Sequence, residues 1–108
     1  MICITIYKNP EDRFCGFRVI GHADSVEEGA DLVCCSVSVL TINLVNSLEK
    51  FAGDVFELTE DEITGLVQLT FRDEISEKAD LLMRSYELGV RSIASEYNTW
   101  LKVITKEV

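Results

Sequence analysis

Ile2-Cys3-Ile4-Thr5-Ile6-Tyr7-Lys8-Asn9-Pro10-Glu11-Asp12-Arg13-Phe14-Cys15-Gly16-Phe17-Arg18-Val19-Ile20 opens the chain and decides how it is organised. Ile2, Ile4 and Ile6 alternate with Cys3, Thr5 and Tyr7, the period of a half-buried strand. Lys8 to Arg13 holds the only proline, Pro10, among Asn9, Glu11 and Asp12, which predicts a turn. Phe14 to Ile20 is a second strand, paired with the first as a hairpin. Gly21 ends it, so His22 stands just past a strand end. Ala23 to Ala30 follows as a polar loop, with Val26 its apolar anchor and Gly29 a candidate hinge.

Beyond the loop the periodicity changes. Leu32 to Ser47 carries no charged residue. Val33, Val37, Leu40, Leu44 and Leu48 keep helical spacing, and Ile42 and Val45 widen the stripe. Such a helix is buried or faces a partner. Its β-branched residues weaken helix propensity, but the run is too long for a common strand. Gly53 is the stop signal. Val55–Thr59 and Leu66–Arg72 predict two more strands joined by the acidic connection Glu60–Gly65. Glu74–Tyr97 is an amphipathic helix, and Trp100–Ile104 a short closing strand. The order β-β-α-β-β-α, with that possible last strand, predicts an α/β (α+β) two-layer sandwich with a mostly antiparallel sheet, as one domain over residues 1–108.

Composition narrows the function. Apolar residues make up 47% of 108 residues, which excludes a disordered chain. The net charge of −9 argues against direct nucleic-acid binding, since phosphate would be repelled, and suits a basic peptide or protein, or simply solubility. Met1 to Lys8 is too short and strand-like for a signal peptide, and no segment reads as long and apolar enough to span a bilayer. The expectation is a cytoplasmic protein whose cysteines, Cys3, Cys15, Cys34 and Cys35, stay reduced. Adjacent Cys34 and Cys35 do not match a zinc spacing, and no metal or cofactor is expected.

The chemistry concentrates between Gly21 and Ser38. His22 is the only histidine in the protein, and Cys34 lies twelve residues later at the start of the uncharged helix. With Asp31 as N-cap, Cys34 becomes the third helical residue. Its sulfur then meets unpaired backbone N–H groups and the positive end of the helix dipole, which favour a thiolate. His22 can take the proton if the loop brings it close. Ser38, one turn on, shares the face of Cys34. Asp31 has two readings, a structural cap or a residue that orients His22. A cysteine on an apolar helix is usually a small core residue, a lone histidine after a strand is more often structural than catalytic, and Cys35, Cys3 and Cys15 read as packing. On composition and spacing alone the reading stops at an α/β domain with a candidate reactive thiol.

Gly21-His22-Ala23, then Gly29, then Asp31-Leu32-Val33-Cys34-Cys35-Ser36-Val37-Ser38 resembles the ribosomal-processing cysteine protease family of Firmicutes and related bacteria. That family carries a Gly-His-Ala motif and, after a short loop, Asp-x-Val-Cys-x-x-Val-Ser. The resemblance implies a homodimer with a Cys–His dyad, Cys34 as nucleophile and His22 as general base, with Gly21, Asp31 and Ser38 as supporting residues. It implies a substrate too, the N-terminal extension of large-subunit ribosomal protein number twenty-seven, over which the loop orders. Asp24, Ser25 and Val26 depart from the glycine and aromatic residue common after Gly-His-Ala. Cys35 replaces the usual alanine and adds a second oxidisable thiol. Asp24, Glu27, Glu28 and Asp31 would attract a basic peptide. Two alternatives stay open at this level. One is a non-catalytic ribosome-assembly or adaptor module binding a basic protein. The other is a redox sensor using Cys34 and Cys35, whose side chains diverge by about a hundred degrees on a helix.

Overall fold

The computed structural model describes residues 1–23 and 29–108. The chain runs β1 (Ile2–Lys8), β2 (Phe14–Ile20), α1 (Ala30–Ser47), β3 (Phe56–Asp61), β4 (Leu66–Phe71), α2 (Glu77–Glu96) and β5 (Leu101–Glu107). One five-stranded sheet has the order β3-β4-β2-β1-β5. All neighbours are antiparallel except β1 and β5, which pair in parallel from Ile2↔Leu101 to Lys8↔Glu107. The expected α+β two-layer architecture is the one observed.

The alternation in β1 has the consequence the sequence required. Ile2, Ile4 and Ile6 are buried, while Cys3, Thr5 and Tyr7 are half-buried on the opposite face. Phe17, Val19, Leu69 and Leu101 join the isoleucines from the neighbouring strands. Both helices contribute to this cluster, α1 through Val33, Val37 and Leu44, and α2 through Ala79, Met83, Tyr86 and Val90. Burial of these side chains is the main favourable term in folding, about 1.5–3 kcal/mol for each large one. Where the helices meet, the buried hydroxyls of Thr41 and Tyr86 bond at 2.9 Å. Burial pushes the Tyr86 phenol up to about 12, although the Thr41 hydrogen bond works against the rise.

Several boundaries differ from expectation. α1 begins at Ala30, and its N-cap is Gly29 in the left-handed region (φ 102°), with no side-chain cap bond. Asp31 is therefore exposed in the first turn and is not the cap. Gly29 wins the position because the capping turn needs a positive φ, and because a Cβ there would stand 3.2 Å from the Trp100 ring. α2 starts three residues later than expected, at Glu77, because Ser76 caps it by accepting from the Ala79 N–H at 3.1 Å. Asp54 holds that cap, accepting from the Ser76 N–H at 2.8 Å and from its hydroxyl at 2.5 Å. β5 runs past Ile104 to Glu107, because β1 offers it a partner along its whole length. Gly53 terminates the first helix in the left-handed conformation, as expected, after a π-helical turn over Leu48–Ala52.

Ala30–Ala52 does reach the length and apolarity of a membrane-crossing helix, with a mean hydropathy of 1.5, which corrects the expectation that no segment does. It serves here as the core helix, with one face in the hydrophobic cluster. The uncharged surface is wider than that buried face. Leu32, Val39 and Ile42 are exposed, so Ile42 does not widen the buried stripe. Cys35 is also exposed, not packed, because its position on the helix turns it away from the buried line Val33, Val37, Thr41 and Leu44.

Candidate active site

The register of the sheet brings three segments to one end of it. β2 and β4 pair through Val19↔Val67, so the end of β2 lies beside the start of β4 and the β3–β4 turn. Gly21 follows β2 with a φ of 96°, and a Cβ there would strike the Met1 carbonyl oxygen. Its N–H donates to the Thr64 carbonyl in the turn at 2.9 Å. The chain then leaves the sheet, and His22 stands exposed with its Nε2 3.1 Å from the Ile63 carbonyl oxygen. Gly65 closes the turn at a φ of 71°. A Cβ on it would lie 2.6 Å from the Gly21 carbonyl oxygen, 3.0 Å from His22 Cε1 and 3.2 Å from His22 Nε2. Only glycine fits this turn without moving the backbone or the ring.

Cys34 comes from the other side, off the second turn of α1. It is half-buried, and its Sγ accepts from the Ala23 N–H at 3.3 Å. The expected position at the helix terminus is corrected with the cap. Since α1 starts at Ala30, Cys34 is its fifth residue. Its sulfur lies past the free N–H groups of the first turn. The N–H that meets it comes from the strand end, not from the helix. Ala23, expected in a polar loop, is buried at 5% exposure. Asp24, Ser25, Val26, Glu27 and Glu28, the proposed lid, lie outside the described residues.

Gly21, His22, Cys34 and Ser38 share one cavity of about 240 Å³. It continues along α1 past Thr41 and Ile42 to Val45 and Asn46, with Glu60 and Val67 as the facing wall. The result is a groove between a helix and a hairpin, apolar along most of its length, with the carboxylate of Glu60 at its side. Asp31, the remaining candidate from the sequence, is exposed on the first turn of α1 and does not line this cavity. A trough of about 760 Å³ on α2, lined by Arg84, Glu87 and Arg91, holds neither thiol nor imidazole and is an open surface. Among the described residues no three His, Cys, Asp or Glu side chains converge as a metal site.

Sequence reasoning missed the β3–β4 turn. Asp61, Ile63 and Gly65 read as an acidic connection, yet Ile63 and Gly65 abut the histidine. The Asp61 carboxylate accepts from the Ile63 N–H at 3.0 Å and so shapes the turn from within. The one local signal was Thr64-Gly65 at a hairpin end, where a positive φ is common. Glu60 was assigned to the acidic connection and Val67 to a strand, both without a role, since groove-facing residues emerge only once the strand's neighbours are known.

The site can be set beside known proteins. A ribosomal processing cysteine protease Prp from Bacillus subtilis (strain 168) is 30% identical over 109 residues, covering 97% of both chains. The crystal structure of an essential ribosomal processing protease Prp from S. aureus, in complex with a covalently linked product peptide, superposes with a TM-score of 0.89. It is 25% identical and covers 98% of this chain and all of that one. A crystal structure from Streptococcus mutans gives 0.85 at 30% identity, covering 100% of this chain and 96% of that one. The sequence model of the family described as Cysteine protease Prp matches residues 1–102. The chain belongs to that family and is a cysteine protease.

Proposed function

We propose that this protease removes the N-terminal extension of large-subunit ribosomal protein number twenty-seven, with Cys34 as nucleophile and His22 as general base. The observation that carries the reading is the shared cavity, which the one imidazole and the Cys34 thiol both line. His22 takes the thiol proton, and the sulfur attacks the scissile carbonyl. The protonated imidazole then gives its proton to the leaving amine, and water hydrolyses the thioester. The Ala23 N–H, already at Sγ, is a donor for the oxyanion that forms on the attacked carbon. Gly21 sets the exit from β2, and Ser38 lines the cavity one turn beyond the nucleophile. Asp31 is retained as a supporting residue by its match to the family motif, acting at the helix entrance.

The groove supports a peptide substrate lying along α1, and the product peptide covalently held by the S. aureus relative supports a covalent route. Glu60 and a net charge of −9 suit a basic peptide. We assign a homodimer, for which the exposed Leu32 and Val39 of α1 offer an apolar surface, and a cytoplasmic location, in keeping with four free cysteines. The test is mass spectrometry of a peptide spanning the extension, incubated with the protein, with Cys34→Ala and with His22→Ala. A single cut by the wild type and none by either variant is expected. Binding without any cut by the wild type would instead establish the adaptor reading, and a fully active Cys34→Ala protein would remove the nucleophile assignment.

A further inference from the structure

We infer that the β3–β4 turn is a third part of the catalytic machinery. Its Ile63 carbonyl fixes His22 in the Nε2–H tautomer and leaves Nδ1 as the nitrogen that exchanges the proton with Cys34. This rests on the reading of His22 as the base and deepens it.

The argument is one of donors and acceptors. A carbonyl oxygen can only accept, so the 3.1 Å contact between His22 Nε2 and the Ile63 oxygen requires hydrogen on Nε2. A neutral imidazole carries one N–H, so Nδ1 then holds the lone pair. After proton transfer both nitrogens carry hydrogen, and the Nε2–H bond persists, now charge-assisted and stronger. The turn thus holds the same ring nitrogen before and after proton transfer without itself taking a proton. In Cys- and Ser-dependent hydrolases this part is commonly played by a side chain that orients the histidine. Here the main chain does it.

The turn is built for the purpose. Asp61 Oδ1 accepts from the Ile63 N–H at 3.0 Å, which sets the path of the peptides beyond it. Gly21 N–H bonds the Thr64 carbonyl at 2.9 Å, tying the turn to the residue before the histidine. Gly65 leaves the Nε2–Cε1 edge of the ring unobstructed, where a methyl would intrude at 3.0–3.2 Å. Ile63 is 89% exposed and meets the ring through its carbonyl, so the residue's contribution at this point is its backbone. Asp61, Ile63 and Gly65 are positioning residues, acting through the ring.

Because His22 is the only histidine, the imidazole ¹⁵N spectrum of labelled protein belongs to one residue. At a pH where the ring is neutral, the wild type should show hydrogen on Nε2 and a bare Nδ1. Asp61→Ala should mix the tautomers and lower kcat about tenfold or more, with KM held within about twofold. Asp61→Asn, whose amide oxygen can accept the same bond, should restore both. Gly65→Ala should act like Asp61→Ala, and if it fails to fold, the Asp61 pair carries the test. A wild-type spectrum dominated by Nδ1–H would overturn the inference, as would an Asp61→Ala protein with unchanged tautomer and kcat. Failure of the base reading shows separately, as retained cleavage in His22→Ala.

Discussion

Thr41→Val should cost more stability than Tyr86→Phe, although both break the same hydrogen bond. The two hydroxyls meet at 2.9 Å, with Thr41 4% and Tyr86 3% exposed. Removing the threonine hydroxyl strands the phenol among apolar groups, at a cost of about 1–3 kcal/mol for an unsatisfied buried donor. Removing the phenol hydroxyl strands much less. Thr41 sits inside α1, and its hydroxyl can turn to the carbonyl one turn back on the helix. That variant should lose only about 0.5–1.5 kcal/mol. The double variant leaves no polar group stranded and should be more stable than Thr41→Val alone. Urea unfolding of the four proteins reads this directly. With a slope of about 1–3 kcal/mol per molar, a loss of about 2 kcal/mol moves the midpoint by roughly 1 M. Equal costs for the two single variants, or a double variant no better than their sum, would refute the asymmetry. Cys34 hangs from the same helix, so kcat in the folded single variants also reports whether this clamp reaches the site.

The same pair makes the fold sensitive to alkali. The Tyr86 phenol rises from its ordinary 10.0 to about 12 on folding, mainly by burial. The folded chain therefore holds this proton when the unfolded chain has begun to lose it. Its contribution is complete below pH 10 and is lost as pH rises towards about 12, a swing of about 3 kcal/mol. Circular dichroism melts across that range should show the decline, and Tyr86→Phe should flatten it. Ser76→Ala should destabilise by about 1–2 kcal/mol through loss of the α2 cap, measured as a urea midpoint shift. Glu60→Gln should raise KM for a lysine-bearing peptide about threefold to tenfold, with kcat unchanged and the difference fading as salt is added. A KM indifferent to the substitution at low salt would place the peptide elsewhere.

What was legible in the sequence is what short range controls. Ile2, Ile4 and Ile6 declare β1 by alternation, and Phe14–Ile20 declares β2 to the residue, because each needs only a neighbour two positions away. The helix after the loop was legible from its uncharged length, and the linked Gly-His-Ala and Asp-x-Val-Cys patterns pointed to the pair that the cavity joins. The helix start was not legible. Asp31 has the chemistry of a cap, and nothing local says that Gly29 will be seated on Trp100, far along the chain. Cys35 was misplaced for a related reason. A helix without charges offers no polar side to mark which direction is out, so only the packed structure separates Val33 from Cys35.

The β3–β4 turn escaped for a deeper reason, and it explains why the site lies where it does. A reading in chain order puts the second hairpin after the first. The sheet instead inserts β4 beside β2, and the antiparallel register sets Val67 opposite Val19. Two residues beyond that pair β2 has reached Gly21, and two residues before it β4 is still Gly65, so strand end and turn are held level. Ile2, at the same end of the sheet on β1, also lines the cavity. A slip of one residue in the β2–β4 register would turn Gln68 inward in place of a core-facing neighbour and carry the Ile63 carbonyl away from the imidazole. Leu69 and Phe17, both fully buried across that pairing, oppose the slip with the strongest force in the fold. The hydrophobic register thus fixes the geometry of a polar contact on the exposed end of the sheet, and the position of His22 is set by residues that never touch it.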